Sequence, residues 1–452
     1  MLNNEAQSFP DGDAMEAIVV GTGPGGAMVA RELARRGRRV LLLEQGGAAP
    51  FKGSLLQMAG MAAIPGKGAF FNLDGSLLVR GLTAGGSSAI NFATALSPPL
   101  PMFDRLGIDL RPALEDVKRQ VPLAPLPDAL VGPAARRIMQ AALGMDLPWR
   151  KLDKTIYADK CQAGCWRCVY GCPTGAKWTA RNLAEEAAQA GARVLTGARA
   201  ERVIVEDGRA CGVAFMQAGR RRVARAGTVI LAGGGIGSPR LLRRSGLPAG
   251  NGTHFSDPVI AVMGSVDDMH DGGAEVPMAA GLHLAQDGVM LSDMSLPLAM
   301  YRAFALQVGR LDLLSHSAHA RTLTIMVKIR DRIGGRIGPH WVNKRLHADD
   351  KEKFRKGVAL AEAILRQAGA RRIFRTWHFA AHPGGSAPIG EVVDTDLRTA
   401  TPGLYLCDAS VIPGEWGLPP TLTLLCLATR LAAHIADERL PETRRIAIAS
   451  MR

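Results

Sequence analysis

The chain has 452 residues, 47% apolar and 21% charged, long enough for two or three domains around a large core and excluding a disordered or fibrous protein. Lys and Arg number 55 against 41 Asp and Glu, a formal charge of +14; this would attract an acidic partner or an anionic membrane surface, but no basic block exceeds Arg220-Arg221-Arg222, so nucleic-acid binding is not expected. No apolar run reaches the ~18 residues that span a bilayer, so no transmembrane segment is expected, and the expected location is the cytoplasm or the periphery of a membrane.

Residues 1–14 read as a loose polar tail. From Met15 the pattern is strand, glycine turn, helix, strand (AIVVGTGPGGAMVARELARRGRRVLLLEQGG), and a second glycine stretch follows at 79–93. Residues 97–134 are rich in Pro and form an excursion with one short helix from Arg111 to Gln120. Four Cys then lead into a helix (Thr179 to Gly191) and a strand pair over 192–215, closed by a basic turn. Residues 226–247 repeat the strand, glycine, helix pattern. Residues 259–345 mix strands with an amphipathic stretch from Leu296 to Leu314. Residues 347–370 are a helix whose acidic start suits its dipole, and the tail from Gly403 is strand, loop, helix. The expected fold is α/β: a discontinuous Rossmann-type dinucleotide domain (15–96, 192–258 and 380–452) and an inserted α+β substrate domain on an antiparallel sheet (259–379). The Pro-rich excursion and the Cys segment (97–191) fall between the first two pieces of the dinucleotide domain.

Gly21, Gly23 and Gly26 form G-x-G-x-x-G directly after an apolar strand, with Gly25 inside the turn and Glu44 at the end of the next strand. In that pattern the first glycine permits the tight turn, the second lets backbone approach a pyrophosphate, and the third lets helix and strand pack closely. The helix N-terminus offers unpaired N–H groups to the phosphates, and Glu44 is placed for ribose hydroxyls. The motif alone leaves FAD and NAD open. At the other end, Pro420 and Thr421 open an apolar helix, where a missing proline N–H costs nothing. Its N-terminus would set partial positive charge beside an anionic group of a bound cofactor.

Cys161, Cys165, Cys168 and Cys172 fall within one short segment, CQAGCWRCVYGCPTGAK, whose last part echoes the ferredoxin run C-x2-C-x3-C-P. Three readings stand: an iron–sulfur cluster (three or four irons), a tetrathiolate zinc site, or redox-active or free thiols. Cys211, Cys407 and Cys426 lie singly in apolar segments and read as small core residues.

The segments GLTAGGSSAIN (81–91), GGGIGSPRLLRRSGL (233–247) and the terminal HPGGSAPIG, VVDTDLRTATPGLYLCDASVIP and PPTLTLLCLATRLAAHI resemble the glucose–methanol–choline (GMC) flavoprotein oxidoreductases, in the family's order over nearly the whole chain. The resemblance implies FAD. It implies that Gly86, Ser87 and Asn91 line the flavin and pyrophosphate, that Val203 touches the adenine, and that Asp408 begins a segment beside the ribityl chain. Ile90 stands where the covalent branch has its attaching His, so non-covalent FAD is expected. His382 matches the family's active-site His and is the expected base for alcohol oxidation; His378 is the next candidate, and the remaining His read as surface or packed residues. Where the family offers a second His or Asn the chain has Pro419, which cannot move a proton, leaving Glu415 and Trp416 in the same loop. Some bacterial members carry a cluster, and related Cys/Gly segments occur in the long-chain alcohol oxidase branch. The implied activity is oxidation of an apolar alcohol by hydride transfer to FAD, electrons leaving through the cluster to an acidic acceptor protein or quinone. The alternatives are the reverse flow, reducing a carbonyl or alkene, and a non-catalytic electron-transfer protein.

Overall fold

In a computed structural model, described for residues 15–437 apart from 73, 271, 339 and 340, two sheets position everything else. The expected tail over 1–14, the terminal residues from 438 onward and His340 lie outside those residues. The apolar strand Met15–Val20 leads through helix Pro24–Arg35 to strand Val40–Leu43. The two strands pair in parallel, and Met15–Val20 is also parallel to the end of Arg220–Leu231, with Val20 opposite Leu231. Arg193–Leu195 extends this sheet on one side and Leu404–Leu406 on the other. Parallel strands covered on both faces read as continuous apolar runs; Val40–Leu43 is VLLL and wholly buried. Helix Pro24–Arg35 packs against Ala180–Gln189 and against the terminal helix Thr421–Asp437. Pieces from the beginning, middle and end of the chain thus share one Rossmann-type sheet.

Arg220-Arg221-Arg222 is not a turn, contrary to the sequence reading. The triplet begins the long strand Arg220–Leu231, whose first half pairs antiparallel with Arg209–Gln217. The turn is Ala218-Gly219, both at positive φ (48° and 76°), a pattern repeated at Asp207-Gly208 (50° and 74°). Two left-handed residues in succession match the twist of a hairpin, so a two-residue loop suffices and the arginines continue the ladder.

The second sheet runs Ala69–Phe71, Leu77–Val79, Phe379–Ala380, Pro258–Ser265, Thr322–Ile329, Val289–Asp293, Ala280–Leu284 and Arg150–Lys151. Its strands are antiparallel except where Leu77–Val79 meets Phe379–Ala380. Side chains alternate between its two faces. Val262, Leu323, Ile325 and Val327 pack against Phe354, Val358 and Ile364 of helix Ala348–Gln367. Val259, Ala261, Met263 and Met326 point the other way, into a cluster with Met278, Met290, Met294 and Tyr301. Lys328 shares the parity of Met326, so a cation is carried on the methionine-rich face. The amphipathic stretch covers that face as helix Leu298–Gln307 and the short turn Leu311–Leu313. Among the described residues no helix is long and apolar enough to cross a membrane.

Candidate active site

Three of the turn glycines are required by packing. A Cβ on Gly21 would lie 2.3 Å from the Ala232 carbonyl oxygen, one on Gly25 2.0 Å from that of Cys407, and one on Gly26 2.1 Å from that of Gly21. Gly23 differs: a Cβ there would meet nothing within 4 Å. It is the N-cap of helix Pro24–Arg35, and no side chain caps those N–H groups. Gly86 closes on the same point, its would-be Cβ 3.1 Å from the Gly23 Cα. The two glycine loops therefore enclose an open, donor-lined approach to the helix N-terminus, which fits a pyrophosphate.

Glu44 is buried, and burial raises its pKa. Its carboxylate accepts the Thr22 N–H at 3.0 Å, the Thr22 hydroxyl at 2.6 Å and the Gly46 N–H at 2.8 Å. Three of about four acceptor positions are thereby taken, leaving one for a ribose hydroxyl. The Thr22 oxygen also accepts the Gly85 N–H at 3.0 Å, so Thr22, which sequence reasoning passed over, bolts the second glycine loop to Glu44. Asp408 accepts the Gly234 N–H at 2.8 Å, the Ser238 hydroxyl at 2.5 Å and the Ser410 N–H at 2.7 Å, which joins helix Gly234–Arg244 to the terminal segment. Ser87 accepts the Gly81 N–H at 3.1 Å, Asn91 accepts that of Ala93 at 3.0 Å, and the Val203 N–H donates to Ser245 at 2.9 Å. The last helix begins at Thr421, its first turn closed by the Leu424 N–H on the Pro420 carbonyl at 3.0 Å. Apart from Val203, which lies within the antiparallel strand Ala198–Glu206, the cofactor candidates lie at the ends of the parallel strands and in the loops beside them.

His382 lies where that sheet meets the methionine-rich face of the second one. Its Nδ1 is 3.1 Å from Asp257 Oδ2, and about a quarter of the side chain remains exposed (26%) while Asp257 is fully buried. The other Asp257 oxygen accepts the Gly417 N–H at 2.7 Å. Burial and the nearby Lys328 ammonium hold His382 well below the usual imidazole range, so the ring is neutral at pH 7. Burial pushes Asp257 up to about 7 against the lowering pull of Lys328 and the Gly417 N–H, and burial brings Lys328 down to about 8. Neither Asp257 nor Lys328 was singled out from the sequence, although a Lys inside the apolar run TLTIMVKI is the signal that could have found it. His378 is not part of this group; its Nε2 faces Asp74 at 3.3 Å. Pro419 is buried, and Glu415 lies 3.8 Å from both Arg330 and Lys353. The neighbouring Trp416 is buried with its indole N–H unpartnered.

The metal-site readings of the cysteine segment are not supported. Cys161, Cys165, Cys168 and Cys172 remain free thiols, and among the described residues no group of three or more His, Cys, Asp or Glu comes together to hold a metal. Packing explains the departure from the spacing. Cys168 enters an apolar cluster with Leu126, Ile156, Ala176 and Val276, and Cys161 and Cys172 pack against it. These thiols act there as small hydrophobes. Burial and the neighbouring sulfurs push the Cys161 thiol up to about 12, and burial raises Cys168. Two buried lysines sit beside them. Lys154 donates to the carbonyls of Phe92 (2.6 Å) and Pro277 (2.8 Å), and Lys177 to those of Ala89 and Cys168 (both 2.7 Å).

A discontinuous Rossmann-type domain, a donor-lined glycine cradle and a buried carboxylate–imidazole pair at its edge define a dinucleotide-dependent oxidoreductase. Comparison with known proteins is specific: the N-terminal domain of the GMC oxidoreductases matches residues 15–264 and their C-terminal domain residues 303–428. The chain belongs to the GMC oxidoreductase family, and with it to the FAD-dependent oxidoreductases acting on CH–OH groups. It is 28% identical to an uncharacterised GMC-type oxidoreductase of Mycobacterium tuberculosis, over 92% of this chain and 75% of that one. It is 26% identical to the long-chain-alcohol oxidase FAO1 of Arabidopsis thaliana, over 93% of this chain and 66% of the plant protein. Among solved structures, pyridoxine 4-oxidase from Mesorbium loti superposes with a TM-score of 0.72 at 17% identity, covering 93% of this chain and 99% of that one. That similarity concerns the fold.

Proposed function

We propose that the protein oxidises alcohols with long apolar substituents, with His382 as the base. The observation that carries this reading is the surround of His382. Ala381 and Phe379 belong with Phe92, Met300, Phe304 and Phe374 to the half-buried rim of the methionine-rich cluster, and Phe304 stacks on Phe379 at 5.5 Å. Such a lining favours an alkyl chain, which methionines accommodate without a fixed shape. Similarity to a long-chain-alcohol oxidase supports the same class.

Bound FAD supplies the two-electron acceptor for the hydride from the alcohol carbon. The chain supplies the rest. The open backbone at Gly23 and Gly86 admits the pyrophosphate, Glu44 holds a ribose hydroxyl, and Asp408 fixes the segment that flanks the cofactor; Ile90 offers no covalent attachment, so acid should release FAD intact. Neutral His382 receives the hydroxyl proton at Nε2 as the carbon–hydrogen bond breaks. The apolar rim excludes water from the reacting carbon. The +14 charge would favour an acidic protein as electron acceptor, in an encounter that weakens with salt. Anaerobic mixing with primary alcohols from ethanol to hexadecanol tests the reading. Flavin bleaching is expected at lower alcohol concentration as the chain lengthens; equal or better bleaching by ethanol, or none by any alcohol, would refute it.

For the cysteine segment, the two buried lysines support an anionic thiolate centre, but the arrangement of the thiols does not. The holoprotein is expected to contain FAD without stoichiometric iron and acid-labile sulfide. Native thiol labelling should reach Cys172 first: burial opposes its ionisation, but its hydrogen bonds to Thr174 and to backbone N–H groups prevail and lower its pKa. Cys168, 7% exposed, should label only on unfolding. Iron with sulfide in stoichiometric amounts would assign the quartet to a cluster, and zinc alone to a structural site.

A further inference from the structure

We infer that Asp257 is a positioning residue for His382: its carboxylate holds the imidazole in the tautomer whose Nε2 is free to accept a proton, and it ties the loop around Gly417 to the same group. The inference rests on the reading of His382 as base. Three observations carry it.

The first is geometric. One Asp257 oxygen is 3.1 Å from His382 Nδ1 and the other takes the Gly417 N–H at 2.7 Å. An ionised carboxylate only accepts, so Nδ1 must carry the hydrogen and Nε2 the lone pair. The second is the cost of the arrangement. Asp257 is wholly buried and sits at φ +46°, in the left-handed region that a non-glycine residue rarely adopts. A buried carboxylate on a strained backbone persists only where its surroundings impose it, and such residues concentrate at functional sites. Those surroundings are visible: the Asp257 N–H donates to Asp331 at 2.9 Å, and Asp331 in turn lies 3.1 Å from Lys344. The third is the loop. The stretch tethered through Gly417 carries Pro419, where the family usually offers a second polar side chain. With Pro419 unable to orient anything, the orienting group is Asp257, from the segment directly before strand Pro258–Ser265, which the same loop grips through the Gly417 N–H.

The charged groups about the imidazole are Asp257, Lys328 from strand Thr322–Ile329, and, behind Asp257, the Asp331–Lys344 pair. His382 itself titrates far below neutrality, so the rate of flavin reduction should fall as pH drops through about 7, where Asp257 takes up a proton. That limb belongs to the buried Asp257–Lys328 pair and its imidazole neighbour together.

The test has two arms on the FAD-loaded enzyme. In nitrogen-15 spectra of the wild-type protein at pH 8, the His382 ring, assigned by its loss in His382→Ala, should show a protonated Nδ1 and an unprotonated Nε2. The opposite tautomer would overturn the proposal without any variant at Asp257. In Asp257→Asn, one oxygen must serve two donors, Gly417 N–H and Nδ1–H, so the amide NH2 turns towards His382 and forces the proton to Nε2. Flavin reduction by a long-chain alcohol should slow about 10²–10⁴-fold with FAD content and KM little changed. The limb near pH 7 should vanish, and Asp257→Glu should recover part of the rate. Asp257→Asn that holds FAD, reduces it at the wild-type rate and keeps the pH limb refutes the positioning role. If His382→Ala also reduces flavin normally, the failure lies with the base assignment; if His382→Ala is slow, it lies with Asp257 alone.

Discussion

His382→Ala is expected to slow flavin reduction by an alcohol about 10²–10⁴-fold while leaving FAD bound, a loss of about 3–5 kcal/mol of transition-state stabilisation. No neighbour stands in for the ring: Asp257, the one adjacent carboxylate able to accept a proton, lies on the Nδ1 side, away from Nε2, and is held by the Gly417 N–H. His378 faces Asp74, Glu415 lies between Arg330 and Lys353, and Pro419 has no proton-bearing atom. Lys328 is a cation on the wrong side of neutrality for a base, although burial brings it down to about 8. The truncation should be nearly silent in stability, because the ring is partly exposed and Asp257 keeps the Gly417 N–H and the nearby ammonium. Stopped-flow bleaching without oxygen reads the rate, and released FAD per chain reads the cofactor. Wild-type bleaching in His382→Ala would remove the base from this position altogether. His378→Ala serves as the control and should stay within about twofold of wild type.

What could be read from the chain follows the range of the interactions concerned. The first strand–turn–helix unit was legible because its glycines act on residues a few positions away or on the strand that follows. Helix Ala348–Gln367 was legible for a similar reason, its acidic first turn and apolar period being local. The proton-transfer site was only half legible. His382 sits in a distinctive stretch, but its partner Asp257 and the cation Lys328 reach it through strand pairing, Val259 lying opposite Lys328, and no local signal announces that register. The cysteines show the limit of a local signal. Their spacing suggests a ligand set, whereas Cys168 enters an apolar cluster with Leu126, Ile156 and Val276, residues outside the segment, and Cys161 and Cys172 pack against it. The basic triplet at Arg220 misled likewise: charge suggested a turn, while the positive φ of Ala218 and Gly219 already made one.

Gly23→Val and Gly25→Ala are expected to fail in different ways, and the difference separates binding from folding within one five-residue turn. At Gly25 a Cβ would fall 2.0 Å from the Cys407 carbonyl oxygen. That oxygen belongs to backbone directly after strand Leu404–Leu406, which pairs with Arg220–Leu231, and Asp408 beside it is held by Gly234 and Ser238. Nothing there can yield cheaply, so the helix must lift from the terminal segment. The expected cost is at least about 3–4 kcal/mol, in the range of severe overpacking, seen as insoluble protein or a collapsed denaturation midpoint. At Gly23 a Cβ meets nothing within 4 Å, and the backbone, at φ −62° and ψ 175°, is open to any residue. Gly23→Val should therefore fold with an unfolding midpoint near that of wild-type apoprotein. Its branched side chain would, however, occupy the space in front of the uncapped N–H groups, and bound FAD should fall at least about tenfold, since donors that cannot reach the phosphates contribute nothing. Denaturation of both apoproteins and FAD titration of the folded variant are the measurements. A Gly23→Val protein that retains full FAD would move the pyrophosphate away from this turn, and a Gly25→Ala protein as stable as wild type would mean that the contact with Cys407 is not a constraint on the fold.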